Sequence, residues 1–102
     1  MKNSNKILYS VSGNIAKLTI NRPERRNALD AESLEQINIL MDRAESDEKV
    51  RVILITGQGD TFSSGFDLKD QMEKAPKGKQ WKPILELDHR TIMRFWNSPK
   101  PT

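Results

Sequence analysis

The chain predicts an α/β fold, and three observations carry that expectation. Residues 7–20 alternate apolar and polar side chains on either side of Gly13-Asn14, the pattern of a β-hairpin. Leu34, Ile37, Leu40 or Met41, and Ala44 then recur at helical spacing behind Asp30. Val52-Ile53-Leu54-Ile55 is an unbroken apolar run of strand length. Strand, helix and strand in that order define the α/β class.

The hairpin pairs Ile7-Leu8-Tyr9-Ser10-Val11 with Ile15-Ala16-Lys17-Leu18-Thr19-Ile20. Asn21-Arg22-Pro23 follows, and the proline ends the second strand and opens a loop. Asp30 is a good N-cap for the first helix, where Glu32 and Glu35 near the start and Arg43 near the end suit the helix polarity. Residues 50–56 are β-branched and almost wholly apolar, and read as a central strand covered on both faces. A short helix is expected over about 66–73. Residues 74–82 hold four lysines, a proline and a glycine, and read as a mobile surface loop. Residues 84–97 form a second amphipathic helix, with Leu85, Ile92 and Trp96 along one apolar stripe, stopping before Pro99 and Pro101.

Composition bounds the function. The 102 residues are 35% hydrophobic and 30% charged, with a mean hydropathy of −0.70. That is apolar-poor beside the roughly 45–50% usual for a self-sufficient domain, so one domain or a piece of one is expected. The net charge of +3 is uneven: residues 69–102 hold eight Lys/Arg against four Asp/Glu. A solvated surface is the favoured reading of this basic tail over nucleic-acid binding. With no cysteine and one histidine, disulfides, thiolate metal sites and histidine clusters are excluded. No signal-peptide h-region and no membrane-spanning run is present, so a cytoplasmic setting is the default and no membrane partner is expected.

The most informative segment is Thr56-Gly57-Gln58-Gly59-Asp60-Thr61-Phe62-Ser63-Ser64-Gly65-Phe66-Asp67-Leu68-Lys69. It leaves a buried strand through glycines and serines and turns into a helix, which points free main-chain N–H groups one way and invites negative charge. It lacks the Gly-Lys-Ser/Thr of a Walker A loop. Phe62 stands where a dinucleotide loop needs its third glycine. Thr61-Phe62-Ser63-Ser64-Gly65 approaches a nucleophile elbow, but threonine replaces its first glycine and His89 is the one available base.

Two stretches together resemble the crotonase family, the enoyl-CoA hydratases and isomerases. Asn21-Arg22-Pro23-Glu24-Arg25-Arg26-Asn27-Ala28-Leu29 matches the family's N-R-P-x-x-x-N-A-L loop, and Phe62-Ser63-Ser64-Gly65-Phe66-Asp67-Leu68-Lys69 matches F-[SC]-[AS]-G-x-D-[LI]-K. Pro99-Lys100-Pro101-Thr102 is similar to the P-K-P-[TV] that leads into that family's next core strand. The three motifs fall in the right order and span essentially the whole chain. The resemblance implies the N-terminal part of a crotonase-like ββα spiral fold over 1–102, and chemistry on acyl thioesters of coenzyme A. No tightly bound cofactor is implied; coenzyme A enters as part of the substrate.

By the same resemblance, the Phe66 N–H is one of two backbone donors that hold a thioester enolate in an oxyanion hole. A position at a helix N-terminus would favour that role on physical grounds as well. Ala28 and Ser64 would grip the adenine ring through backbone groups, with Gly65, Asp67 and Leu68 around the same pocket. Arg25, Arg26 and Lys69 would meet the carrier's phosphates or remain solvated. Ser63 and Ser64 read as small residues that permit close approach. His89 has two readings: a partly buried packing residue on the last helix, or the catalytic histidine that aroyl-CoA dehalogenases of this family place there.

The family's second oxyanion glycine and its acid–base carboxylates lie beyond the P-K-P-T motif. Loss of one oxyanion donor costs about 100- to 1,000-fold in rate, and loss of the proton-transfer groups on the order of another 100- to 10,000-fold. Residues 1–102 alone are therefore expected to show no useful hydratase activity. A parent enzyme of this family is expected to be a homotrimer or hexamer. The rival expectation is a truncated, non-catalytic module that binds CoA or, through its basic tail, RNA; steep salt dependence would mark the RNA case.

Overall fold

A computed structural model describes residues 5–74 and 81–102. The element order is β1 (Ile7–Ser12), β2 (Ile15–Ile20), a 3-10 turn (Pro23–Arg25), α1 (Ala31–Ser46), β3 (Val52–Gly57), α2 (Leu68–Lys74) and α3 (Trp81–Asn97). The three strands form one sheet in the order β1-β2-β3, antiparallel between β1 and β2 and parallel between β2 and β3. Positive φ falls on Gly13 (+61°), the first position of the two-residue hairpin turn, where a residue with a Cβ would be strained.

Period-two alternation in the strands meets period-3.6 alternation in α1. Ala16, Leu18, Ile20 and Ile53 turn one sheet face onto Leu34, Ile37, Met41 and Ala44, and all eight are essentially buried. Burial of one such side chain is worth roughly 1.5–3 kcal/mol for the larger aliphatics, so this layer holds the fold together. The Asp30 carboxylate caps α1, accepting from the Ser33 N–H at 2.8 Å and the Ser33 hydroxyl at 2.7 Å.

Several expectations need correcting. β3 is the edge strand of the described sheet and is covered on one face: Ile53 is buried, while Val52 and Leu54 are 40% and 47% exposed. The reason is that α1 and α3 both lie on the same side of the sheet as Ile53. On the far edge of β3 the Ile53 N–H donates to the Pro101 carbonyl at 2.9 Å, so the last residues run alongside it.

The short helix starts at Leu68, two residues late, because the Asp67 carboxylate caps it by accepting from the Asp70 N–H at 3.1 Å. The last helix starts at Trp81, three residues early; Pro83 sits in its first turn, where its missing N–H costs nothing. Of the expected loop over 74–82, Lys74 closes α2 and Trp81 and Lys82 open α3. Residues 75–80 lie outside the described residues.

The stripe Leu85, Ile92, Trp96 is also not buried, with Trp96 83% exposed and Ile92 half-exposed. α3 turns a different stripe inward: Leu87, Asp88, Thr91 and Phe95, about a quarter turn away. Polar contacts select it. Asn38 of α1 donates to the Thr91 hydroxyl at 2.8 Å, Gln71 of α2 donates to both Asp88 oxygens at 3.0 and 2.7 Å, and Arg94 pairs with Asp42 and Glu45 at 2.8 and 3.2 Å.

Candidate functional site

Two loops meet above the carboxyl ends of β2 and β3. One runs from Asn21 to Leu29, the other from Gly57 to Asp67, and Asn27 joins them. Its buried side chain accepts from the Arg22 N–H at 2.8 Å and donates to the Gln58 and Thr61 carbonyls at 3.0 and 2.6 Å. All of the amide's strong hydrogen-bonding directions are thereby engaged except one acceptor lone pair. The same residue holds φ at +58°, beside Arg26 at +54°. Two consecutive left-handed residues are strained outside glycine, and these side-chain bonds offset the strain.

The second loop folds back on itself at Gly57. A Cβ there would lie 2.3 Å from the Phe62 carbonyl oxygen and 2.4 Å from that of Thr61, so only glycine fits. The loop then passes through Ser63, whose hydroxyl donates to the Asn27 carbonyl at 2.8 Å and accepts from the Gly65 N–H at 3.0 Å. Ser64 N–H donates to the Arg26 carbonyl at 3.0 Å. Gly65 has φ +105°, a conformation that side chains rarely adopt.

The geometry at Phe66 follows from one isolated parallel bridge. Leu29 N–H donates to the Gly65 carbonyl and Asp67 N–H donates to the Leu29 carbonyl, each at 2.8 Å. In a trans peptide the C=O and N–H point in opposite directions, and no cis peptide occurs among the described residues. The Gly65 carbonyl faces Leu29, so the Phe66 N–H on the same peptide plane faces away from it. Among the described residues this N–H has no hydrogen-bond partner. The expected placement at a helix N-terminus is replaced by this bridge: α2 begins two residues later and is seven residues long, so its dipole is a minor contribution.

Gly65 and Phe66 line an open cleft of about 430 Å³ whose other walls are Ile20, Leu29, Ile37, Ile55, Phe62, Ser63, Thr91, Ile92 and Phe95. The lining is apolar apart from two hydroxyls, and both are engaged within the protein. Thr91 donates to the Leu87 carbonyl at 2.7 Å while accepting from Asn38. Phe66, whose N–H is unpartnered among the described residues, thus borders a largely apolar cleft.

Behind the loops lies a charged network that the sequence did not single out. Arg22 is buried, and its guanidinium donates to the Ala28 carbonyl at 2.5 Å and the Asp67 carboxylate at 3.3 Å, with Asp30 3.6 Å away. Lys6 adds a 2.6 Å bond to Asp30. Burial alone would raise the Asp30 pKa, but the bonds from Lys6 and Ser33 and the Arg22 charge outweigh it and bring it down to about 2. Asp67 behaves alike: burial opposes ionisation, while the Asp70 N–H, Arg22 and Arg25 hold its carboxyl below the usual range.

The remaining candidates divide. Ala28 is half-buried and sends its carbonyl to Arg22, whereas Ser64, Leu68 and Lys69 are exposed near the loop junction. Arg25 sits 3.7 Å from Asp67, which claims part of its charge. Arg26 is exposed, and its carbonyl accepts from Ser64. His89 is exposed on the outer side of α3 and does not line the cleft, which corrects its expected partial burial. Among the described residues no group of His, Cys, Asp or Glu is placed to hold a metal ion, and no helix is long and apolar enough to cross a membrane.

Sequence motifs did signal Phe66, Gly65 and Asp67. They gave no sign of the roles of Arg22, Asn27 and Ser63, whose partners lie up to 45 residues away. The signal available was composition: an arginine, an asparagine and a serine set among apolar and glycine positions.

Comparison with known proteins identifies the family and the fold. The family model for enoyl-CoA hydratase/isomerase matches residues 10–102. A Xanthobacter autotrophicus Py2 enoyl-CoA hydratase/isomerase structure superposes with a TM-score of 0.91 at 54% identity, covering 95% of this chain and 36% of that one. Pseudomonas aeruginosa PA4980 superposes with a TM-score of 0.87 at 32% identity, covering 100% of this chain and 44% of that one. A Mycobacterium tuberculosis H37Rv protein named "Probable enoyl-CoA hydratase EchA14" is 40% identical over 62 residues, which are 61% of this chain and 24% of that protein. The chain thus spans about a quarter of that curated relative's length. It belongs to the enoyl-CoA hydratase/isomerase family, and its mixed α/β architecture is that of the crotonase fold.

Proposed function

We propose that these residues form the acyl-CoA-binding, N-terminal part of an enoyl-CoA hydratase/isomerase-type enzyme, in which the Phe66 N–H donates to the thioester carbonyl oxygen and stabilises the enolate. The single observation that carries this reading is the unpartnered Phe66 N–H beside an apolar cleft. A carbonyl carries little charge in the ground state and nearly a full negative charge on oxygen in the enolate, so a fixed donor there favours the enolate selectively. The apolar walls would take the acyl chain and keep water from competing for the donor. Ala28, Ser64, Gly65, Asp67 and Leu68 would surround the carrier's adenine, while the exposed Arg26 and Lys69 would meet its phosphates.

Acetoacetyl-CoA, which enolises readily, provides the test. Replacing the amide that bears the Phe66 N–H by an ester removes the donor and leaves the side chain intact. The expected result is that the ester form loses about 100-fold or more in affinity for acetoacetyl-CoA, while binding of free CoA stays within about twofold. Unchanged acetoacetyl-CoA affinity would refute the assignment.

A further inference from the structure

The donor at Phe66 is useful only if its neighbours do not compete with it and if its peptide plane cannot rotate. Leu29 fixes one side of that plane by donating to the Gly65 carbonyl at 2.8 Å. The other side of Gly65 is held by a side chain. Ser63 Oγ accepts from the Gly65 N–H at 3.0 Å and passes its own proton to the Asn27 carbonyl at 2.8 Å. We propose that Ser63 is the positioning residue of the oxyanion-binding loop: it consumes the adjacent Gly65 amide, ties the loop to Asn27, and so fixes the peptide that carries the unpartnered Phe66 N–H beside the cleft.

Three features support the role. Ser63 lines the cleft with Gly65 and Phe66, within reach of a guest, yet its hydrogen is already committed to Asn27. It is thus neither a nucleophile nor a substrate donor. Gly65, at φ +105°, has no side chain to hinder rotation, and an unrestrained glycine there would sample many orientations. Asn27, which receives the Ser63 proton, is itself pinned by Arg22, Gln58 and Thr61, so the staple ends on a rigid point. Removing the hydroxyl would free the Gly65 N–H and the Asn27 carbonyl together. A displacement of about 1 Å at such a donor is enough to cost on the order of 100-fold in the interaction it makes.

This inference rests on the Phe66 assignment, and one experiment separates the two. The full chain, Ser63→Ala and Ser63→Cys are titrated with acetoacetyl-CoA and with butanoyl-CoA, and the ratio of the two dissociation constants is compared. The unsubstituted chain should favour acetoacetyl-CoA; if it shows no preference, the Phe66 assignment fails first and this inference with it. Given that preference, Ser63→Ala should lower the ratio about 10- to 100-fold with butanoyl-CoA binding changed less than about threefold. Ser63→Cys, of similar shape but with a weak donor and acceptor, should fall between. Amide hydrogen exchange at Gly65 should quicken at least about tenfold in Ser63→Ala, since its acceptor is lost. A wild-type ratio in Ser63→Ala, or an equal loss for both ligands, would overturn the positioning role. If Ser63→Ala does not fold, an unchanged ratio in folded Ser63→Cys would do the same.

Discussion

The loop junction around Asn27 and the outer face of α3 are opposites. At the junction, Arg22, Asn27, Ser63, Gly65 and Leu29 make hydrogen bonds of 2.5–3.3 Å that fix each main-chain group in turn. On α3, Leu85 and Trp96 are exposed apolar side chains on a stripe whose third member, Ile92, is half-exposed at the edge of the cleft. Directional polar contacts specify a geometry, whereas an apolar stripe specifies only that something should cover it. Stability is therefore expected to be sensitive to substitution at the junction and insensitive on the stripe.

The sharpest way to break that contrast is Asn27→Ala. It removes three hydrogen bonds, strands the buried Arg22 N–H and leaves alanine at φ +58°, so a loss of about 3 kcal/mol or more in urea-unfolding free energy is expected. A loss below about 1 kcal/mol would mean that the loops are held some other way. Gly57→Ala should follow, at about 2–3 kcal/mol, because a methyl 2.3 Å from the Phe62 carbonyl oxygen forces the loop apart.

Acid should act on the same region. The Asp30 pKa is lowered from 3.8 to about 2 on folding, so the charged form is favoured in the folded state. Its contribution, on the order of 2 kcal/mol, is full above pH 4 and disappears as pH falls through 2. Urea-unfolding curves of Asp30→Asn should lie below those of the unsubstituted chain at pH 6 and converge with them near pH 2. Parallel curves would contradict the Lys6–Asp30–Arg22 arrangement. The smallest effect belongs to the other region: Trp96→Gln should change unfolding free energy by less than about 0.5 kcal/mol and, if anything, lower self-association in sedimentation experiments.

The contrast also explains what the sequence disclosed. The hairpin, α1 and its Asp30 cap were legible because local periodicity and capping chemistry determine them. The motif loops were legible through family resemblance, and they led to Phe66. The inward face of α3 was not, since that helix carries two adjacent apolar stripes and the choice depends on Asn38, Gln71 and Glu45 in other elements. β3 read as central because its composition suits burial on both sides, although the described residues cover one. Arg22, Asn27 and Ser63 were hidden for another reason: their partners are distant in sequence, and a single polar residue carries no period.

The central claim is that the Phe66 N–H is free and able to receive a carbonyl oxygen. The most direct measurement is the Phe66 amide proton in ¹H–¹⁵N spectra as acetoacetyl-CoA is added. The account predicts an upfield, solvent-exposed resonance in the free protein that moves downfield and becomes protected from exchange on binding, more than any other amide in the two loops. A Phe66 amide already protected without ligand, or unmoved at saturation, would contradict it.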